Sequence, residues 1–391
     1  MRNPPLRSLF VRTDLPARFP LCLILLVALI LRVGVAFFSG LDWYTTDSYT
    51  YLKMADAILA DSPQSYLPNG YPLLIAATKW LLPERAVPSA LMWINVLLST
   101  AVVGLTYRLT RILHPAPAVA LLAAAVLALY PHQLVYLHYL LTEVSTEFWI
   151  VLGSVSLCGG RFVSAGAALA VAALFRGSLT PVPAIVLGIL WIRSDPGHLG
   201  RRFGAGVAVV LAVYGALLAG GVIGPTRNLA GNLHAAVSQR STDFVWNDVP
   251  EPTREQIDHP LRAYLTFAVE QPDEFAMQRL SALWETWGPY PQDTPRAIWE
   301  QLLIGLRFPL LLLAAFGFAR HRSRLEYQLL AVPIGVLTAV HFAFFSAARF
   351  SYVVMPLVIS MAIVALFPTP VPAGNSADDS VTPKGQPDRL L

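Results

Sequence analysis

The 391-residue chain is 55% hydrophobic and only 13% charged, with a formal net charge of +4. Soluble domains carry about 25% charged residues, so this chain lacks the polar surface to cover itself in water and its solvent is largely lipid. The basic excess is no sign of nucleic-acid binding, because the cations mostly stand at the ends of apolar runs, where membrane topology accounts for them.

In chain order, Arg2, Arg7, Arg12 and Arg18 precede an apolar run over 20–38. That order is like a secretory signal, but no small-residue cleavage site follows and many apolar runs do, which predicts a retained first helix. A helix crosses a bilayer core with roughly 20 apolar residues. Ten segments approach this: 20–38, 88–107, 116–131, 134–157, 162–175, 179–192, 203–222, 302–319, 326–345 and 350–367. The short pair 162–175 and 179–192 reads as two thin crossings or as a re-entrant hairpin; either leaves the later sidedness unchanged.

With a cytoplasmic N-terminus, Arg108, Arg111, Arg161, Arg193, Arg201, Arg202, Arg320, Arg322 and Arg324 fall inside, as does a tail with Lys384 and Arg389. Connections around His132, Arg176 and Arg349 fall outside and carry few cations. Two longer segments, 39–87 and 223–301, then lie outside as well. The fold expected is an all-α polytopic membrane protein of about ten transmembrane helices. One membrane-embedded domain covers 1–367, and 368–391 has the composition of a disordered cytoplasmic tail. Cys22 and Cys158 sit in separate apolar runs and suggest neither disulfide nor metal site. No internal repeat is visible, which weakens an inverted-repeat transporter reading.

The outer segments have local structure of their own. Tyr51, Leu52, Ala55, Ile58 and Leu59 fall on one helical face of Ser48–Ala60, with Lys53 and Asp56 opposite. Such a helix lies along a membrane surface. Pro260 and Pro272 each suit a first helical turn. Trp284 and Trp287 suit anchors at the headgroup level.

The chemistry-bearing residues concentrate in these outer parts. Asp42-Trp43-Tyr44-Thr45-Thr46-Asp47-Ser48-Tyr49-Thr50-Tyr51 is followed by Leu67-Pro68-Asn69-Gly70-Tyr71-Pro72. Later come Tyr130-Pro131 with Leu141-Thr142-Glu143, then Leu174-Phe175-Arg176, Gln271-Pro272-Asp273-Glu274-Phe275, and Ala348-Arg349-Phe350 through Met355-Pro356. In order and sidedness, over roughly residues 20 to 367, this series resembles the GT-C superfamily of integral-membrane glycosyltransferases. The likeness is greatest to the protein mannosyltransferase and aminoarabinose transferase group and its bacterial relatives. The chain departs from that pattern at Ser48, where many relatives have Glu, at Asn69, where many have Pro, and at Phe350, where many have Tyr.

The resemblance implies an inverting transferase that takes a sugar from a polyprenyl-phosphate donor and gives it to an acceptor hydroxyl of a lipid, polysaccharide or protein. It implies the outer face of a bacterial plasma membrane, with membrane lipids as surroundings. One placed carboxylate suffices as general base, and Asp47 is the candidate. Guanidinium matches phosphate with paired hydrogen bonds, which makes Arg349 and Arg176 candidates for the carrier's phosphate. Glu143, Tyr51, Asp42 and His132 complete the expected substrate-binding set. No nucleotide or other cofactor is required, and the acid missing at Ser48 argues against a divalent metal without excluding one.

Each residue has a plainer role. Asp47 suits a helix cap, Glu143 an acid at a helix start, Arg349 a snorkelling cation and Asp42 a water-facing loop. His132 and His138 are six apart, which is poor spacing for a metal pair, and read as polar lining. Arg32, deep in the first run, requires an acid or a lipid phosphate as partner. Two other functions remain in play: a lipid-linked-sugar transporter or flippase, and a non-catalytic assembly protein on the same scaffold.

Overall fold

A computed structural model describes residues 15–40, 42–63, 67–193, 197–225, 233, 236, 258–288, 305–344, 346 and 348–368. Arg2, Arg7, Arg12, Lys384 and Arg389, the tail after Pro368 and most of the 223–301 segment lie outside the described residues. Within them the regular elements are all helical: α1 Leu15–Phe38, α2 Thr46–Leu59, α3 Gly70–Leu81, α4 Val87–Leu113, α5 Pro117–Leu129, α6 Pro131–Leu137, α7 Glu143–Cys158, α8 Phe162–Phe175, α9 Pro181–Arg193 and α10 His198–Ala219. Then follow α11 Pro260–Glu270, α12 Pro272–Trp287, α13 Arg307–His321, α14 Leu325–Ala343 and α15 Met355–Ala365.

Four stretches are long and apolar enough to cross a membrane: Ala17–Phe38, Glu84–Leu113, His198–Ala219 and Leu325–Ala343. Shorter apolar helices of 10–17 residues cover Pro117–Leu129, Phe162–Phe175, Gly177–Arg193 and Arg349–Ala365. The chain is a multi-pass helical membrane protein. The other two expected spans are α7 and α13, of 16 and 15 residues, which is short of the roughly 20 that a crossing takes.

α15 is the hub. Every residue from Met355 to Ala365 is buried, against α13, α4 and α5. At the periphery, α1 and α10 turn Leu23, Leu26, Ile30, Val209, Leu211 and Val213 outward, as helices solvated by hydrocarbon do. Lipid offers no hydrophobic force to draw helices together, so close backbone approach matters more. Gly166 of α8 and Gly206 of α10 supply it: a Cβ on Gly166 would overlap the backbone of Phe203, and one on Gly206 the backbone of Val163.

The expected span 134–157 is not one helix. α6 ends at Leu137, His138–Thr142 is irregular, and α7 starts at Glu143. The cause lies far off in sequence. The Asn95 side-chain amide of α4 donates to the carbonyls of Leu137 and Tyr139, at 3.3 and 3.1 Å, and Leu140 N donates to Trp43 O at 2.9 Å. Backbone groups freed by a break at membrane depth need such partners. The expected start of the last span differs too. Ala348–Val354 forms a 3₁₀ segment, and α15 begins only at Met355, with Pro356 in its first turn, where a missing N–H costs nothing.

Candidate active site

Three local structures carry the charged residues together. The first is the start of α2. Thr45 is its N-cap, and Thr45 and Ser48 exchange side-chain to backbone hydrogen bonds in a capping box: Ser48 N to Thr45 Oγ1 at 3.3 Å, Thr45 N to Ser48 Oγ at 2.9 Å. Such a box satisfies two N–H groups that the helix leaves open. The cap is therefore Thr45 rather than Asp47, and Ser48 has a structural use. Asp47, in the first turn, keeps its carboxylate for other partners. Tyr51, Met54 and Ala55 of α2 are buried, facing α3, while Lys53 and Asp56 face outward and Asp56 pairs with Lys79 of α3.

The second is the end of α8. Arg176 follows Phe175 in extended conformation, beside the start of α3. A Cβ on Gly70 would stand 2.8 Å from backbone atoms of Leu174 and Phe175, so only glycine lets α3 approach this turn. Asn69 secures the same loop by donating to Tyr214 Oη and Gly224 O, at 3.1 and 3.0 Å.

The third is the 3₁₀ segment with Arg349. Gln133 of α6 donates from one Nε2 to Glu147 Oε1 at 2.6 Å and to Tyr352 O at 3.3 Å. His341 of α14 stacks on Phe350 with centroids 4.3 Å apart. Ser346 meets the hydroxyl of Thr286 on α12. Arg279 of α12 donates to the carbonyls of Phe342 and Ala343, at 3.4 and 2.7 Å, and of Phe344. These are the last carbonyls of α14, which a cation suits.

Asp47, Arg349, Glu143 and Arg176 converge from these elements and from the start of α7. Arg349 NH2 lies 2.7 Å from Asp47 Oδ2, and Arg349 Nε 3.8 Å from Glu143 Oε1. Arg176 NH1 donates to the same Glu143 Oε1 at 3.2 Å. Both guanidiniums lie over the Phe350 ring, at 4.5 Å for Arg176 and 5.4 Å for Arg349. The side chains of Asp47 and Arg349 are 34% and 23% exposed, those of Arg176 and Glu143 11% and 4%. One pair thus faces the surroundings and the other is closed in. Tyr51 is buried beside them, edge-on to Tyr71 with ring centroids at 5.3 Å. Burial first, then the carboxylates of Asp47 and Glu143, push the Tyr51 phenol above its ordinary range, so it remains a neutral hydroxyl.

The other expected residues lie differently. Asp42 is exposed and accepts from Tyr44 N at 3.0 Å, closing a turn ahead of α2; no ion pair joins it to the cluster among the described residues. His132 is buried among Tyr130, Tyr136 and Tyr352, with ring centroids 5.9, 5.1 and 5.8 Å away. Its link to the site is Tyr352, on the segment of Arg349. Trp287, expected as an interfacial anchor, is buried and donates to Thr338 of α14 at 3.0 Å; Trp284 is the exposed one of the two.

A second polar cluster surrounds Arg32, for which the sequence called for an acid or a lipid phosphate as partner; Glu147 was not singled out. Arg32 donates to Ser99 Oγ of α4 at 2.8 Å and to the carbonyls of Ala28 and Ala128 at 3.2 Å. It also faces Glu147 and Tyr352 electrostatically. Glu147 is one turn beyond Glu143 and fully buried. The signal was there: the rule that an ionisable group in an apolar run needs a purpose applies to Glu147 as it does to Glu143.

Among the described residues no group of three or more His, Cys, Asp or Glu side chains gathers in metal-binding fashion, and Asp47 and Glu143 are each held by a guanidinium. This donor set does not fit a metal, and no step is drawn through one.

This helical arrangement is shared with two solved structures of the oligosaccharyltransferase of Archaeoglobus fulgidus. The apo form matches 89% of this chain and 50% of its own, at 15% identity and a TM-score of 0.56. The form tethered through a disulfide to an acceptor peptide with an NVT sequon matches the same shares, at 13% identity and a TM-score of 0.54. The chain therefore spans about half the length of that enzyme. No family model and no curated protein matches the sequence. The matched structures are oligosaccharyltransferases, whereas the motifs resemble mannosyl- and aminoarabinosyltransferases; the likeness is one of fold.

Proposed function

We propose that this protein is a glycosyltransferase that moves a sugar from a polyprenyl-phosphate carrier to an acceptor hydroxyl at the outer face of a bacterial plasma membrane. The observation that carries the reading is the convergence of Asp47, Arg349, Glu143 and Arg176, from four separated parts of the chain, at the start of α2. The fold shared with the oligosaccharyltransferase structures supports it, and function rests on the site rather than on the scaffold.

The chemistry runs as a single inverting displacement. The acceptor oxygen attacks the anomeric carbon as its proton passes to Asp47. The bond from that carbon to the phosphate oxygen breaks, and its electron pair leaves with the carrier phosphate. Arg349 and Arg176 stabilise the negative charge that develops there, from a partly desolvated position where hydrogen bonds to charge are strong. Glu143 fixes both guanidiniums, and Phe350 gives them a common flat surface.

The test is Asp47→Asn, assayed in membranes supplied with donor. Transfer is expected to fall by about 100-fold or more, the low end of what a positioned base contributes. Normal transfer by this variant sinks the proposal. Mass spectrometry of envelope glycans from a deletion strain identifies the sugar and tells lipid, polysaccharide and protein acceptors apart.

The transporter reading draws on a specific feature, the break between α6 and α7 beside buried Arg32 and Glu147. Broken helices with ionisable groups mark substrate paths in transporters. Here the break is sealed by Asn95 and Leu140, and Arg32, Gln133 and Glu147 are at most 1% exposed. A sealed cluster of that kind braces the bundle, which favours the enzyme.

A further inference from the structure

We infer that Asp47 occupies the place on Arg349 that the carrier phosphate takes, so that donor binding itself releases the base. This rests on the reading of the preceding section and adds to it the order of events. Three observations lead there.

The charges cancel. Asp47, Arg349, Glu143 and Arg176 alternate in sign, so the cluster is neutral and offers an incoming anion no surplus cation. The Nε–NH2 edge of Arg349 is taken: NH2 is engaged by Asp47 and Nε faces Glu143. A phosphate that makes paired hydrogen bonds along this edge must displace a carboxylate. Burial decides which one leaves. Asp47 is 34% exposed and Glu143 4%. Partly exposed pairs open at small cost, whereas parting a buried pair leaves an uncompensated charge. The outgoing group is therefore Asp47, on the first turn of α2, where the helix N-terminus favours a free carboxylate. Once released, it is no longer neutralised by Arg349 and accepts the proton of the acceptor hydroxyl.

The consequence is opposite to that of an ordinary ligand contact. Removing the Asp47 carboxylate abolishes transfer yet strengthens phosphate binding, because the competitor is gone. The experiment titrates the purified full chain, in a neutral detergent, with farnesyl phosphate. Asp47→Asn and Asp47→Ala are expected to bind it about tenfold more tightly than wild type, the removal of one partly exposed charged partner. Glu143→Gln is expected to show no gain, and Asp56→Asn, on the far face of α2, no change. Equal or weaker binding by both Asp47 variants overturns the exchange, and so does an equal gain from Glu143→Gln, which would mark a general charge effect.

Parallel titration with phosphatidylglycerol separates the two sources of a lipid phosphate. A gain on Asp47→Asn with the phospholipid and none with the prenyl phosphate overturns the assignment to a carrier. The two readings also fail distinguishably. If wild type and every variant ignore farnesyl phosphate, the proposed function falls and takes the exchange with it. If wild type binds it through Arg349 and transfers sugar, but Asp47→Asn gains nothing, the exchange alone falls.

Discussion

Glu143 and Glu147 stand one turn apart on α7 and organise two quite different clusters. Around Glu143 the partners are charged: Arg176 and Arg349, with Asp47 beyond, and the outer pair meets solvent. Around Glu147 the direct partner is neutral Gln133, whose other acceptor is a backbone carbonyl, and Arg32 is held mainly by Ser99 and two carbonyls. The same residue types thus serve two ends. Groups left partly open keep the freedom to exchange partners, and groups fully enclosed are fixed by hydrogen bonds and brace the helices. Burial, more than residue identity, divides the site from its support.

The sharpest way to break this contrast is to remove one member of each. Arg349→Ala is expected to cut transfer by about 100- to 1,000-fold, with melting little changed because its carboxylate pair is partly exposed. Glu147→Ala is expected to act on folding instead. It leaves Gln133 and Arg32 facing a void and lowers stability by about 3 kcal/mol, seen as an earlier melting midpoint, while transfer per folded molecule stays near wild type. A stable but inactive Glu147→Ala protein would erase the distinction.

Two smaller changes sharpen it. Gly70→Ala forces α3 off the end of α8 and is expected to cost about 2 kcal/mol by overpacking; transfer should fall about tenfold through misplacement of Arg176, read as lower kcat in membranes normalised for folded protein. Tyr51→Phe has the least effect expected, about threefold or less, as one neutral hydrogen bond would give. The sign for pH follows from burial: a phenol whose pKa is raised stays protonated across the usual assay range. An alkaline limb in the activity profile between pH 8 and 10, if present, should therefore persist unchanged in Tyr51→Phe; its loss would show that Tyr51 titrates at the site.

The sequence was informative where the physics is local. Apolar length located α1, α4, α10 and α14, helical spacing located α2, and Pro260 and Pro272 opened α11 and α12. Asp47, Glu143, Arg176 and Arg349 were legible because ionisable residues beside apolar runs are few. What stayed hidden depends on partners distant in the chain. Asn95 breaks the run 134–157 from 42 residues away, and no periodicity within the run reports that. Ser48 read as a missing acid, whereas its hydroxyl completes a cap with Thr45. The role of Gly70 is set by the backbone of Leu174, about which its own neighbours say nothing. His132 and Asp42 have the right chemistry in the right segment, and only coordinates reveal an aromatic enclosure for one and a turn for the other.

Arg279 carries one more implication. It gives its donors to neutral carbonyls, three at the end of α14 and that of Ala236, and among the described residues no carboxylate pairs with it. A helix terminus presents only about half an elementary negative charge, so roughly half a unit of positive charge is left over, beside the helix end that precedes Arg349 by a few residues. A candidate site whose own four charges cancel thereby gains a standing electrostatic bias that draws anions towards it before any of them touches Asp47 or Arg349.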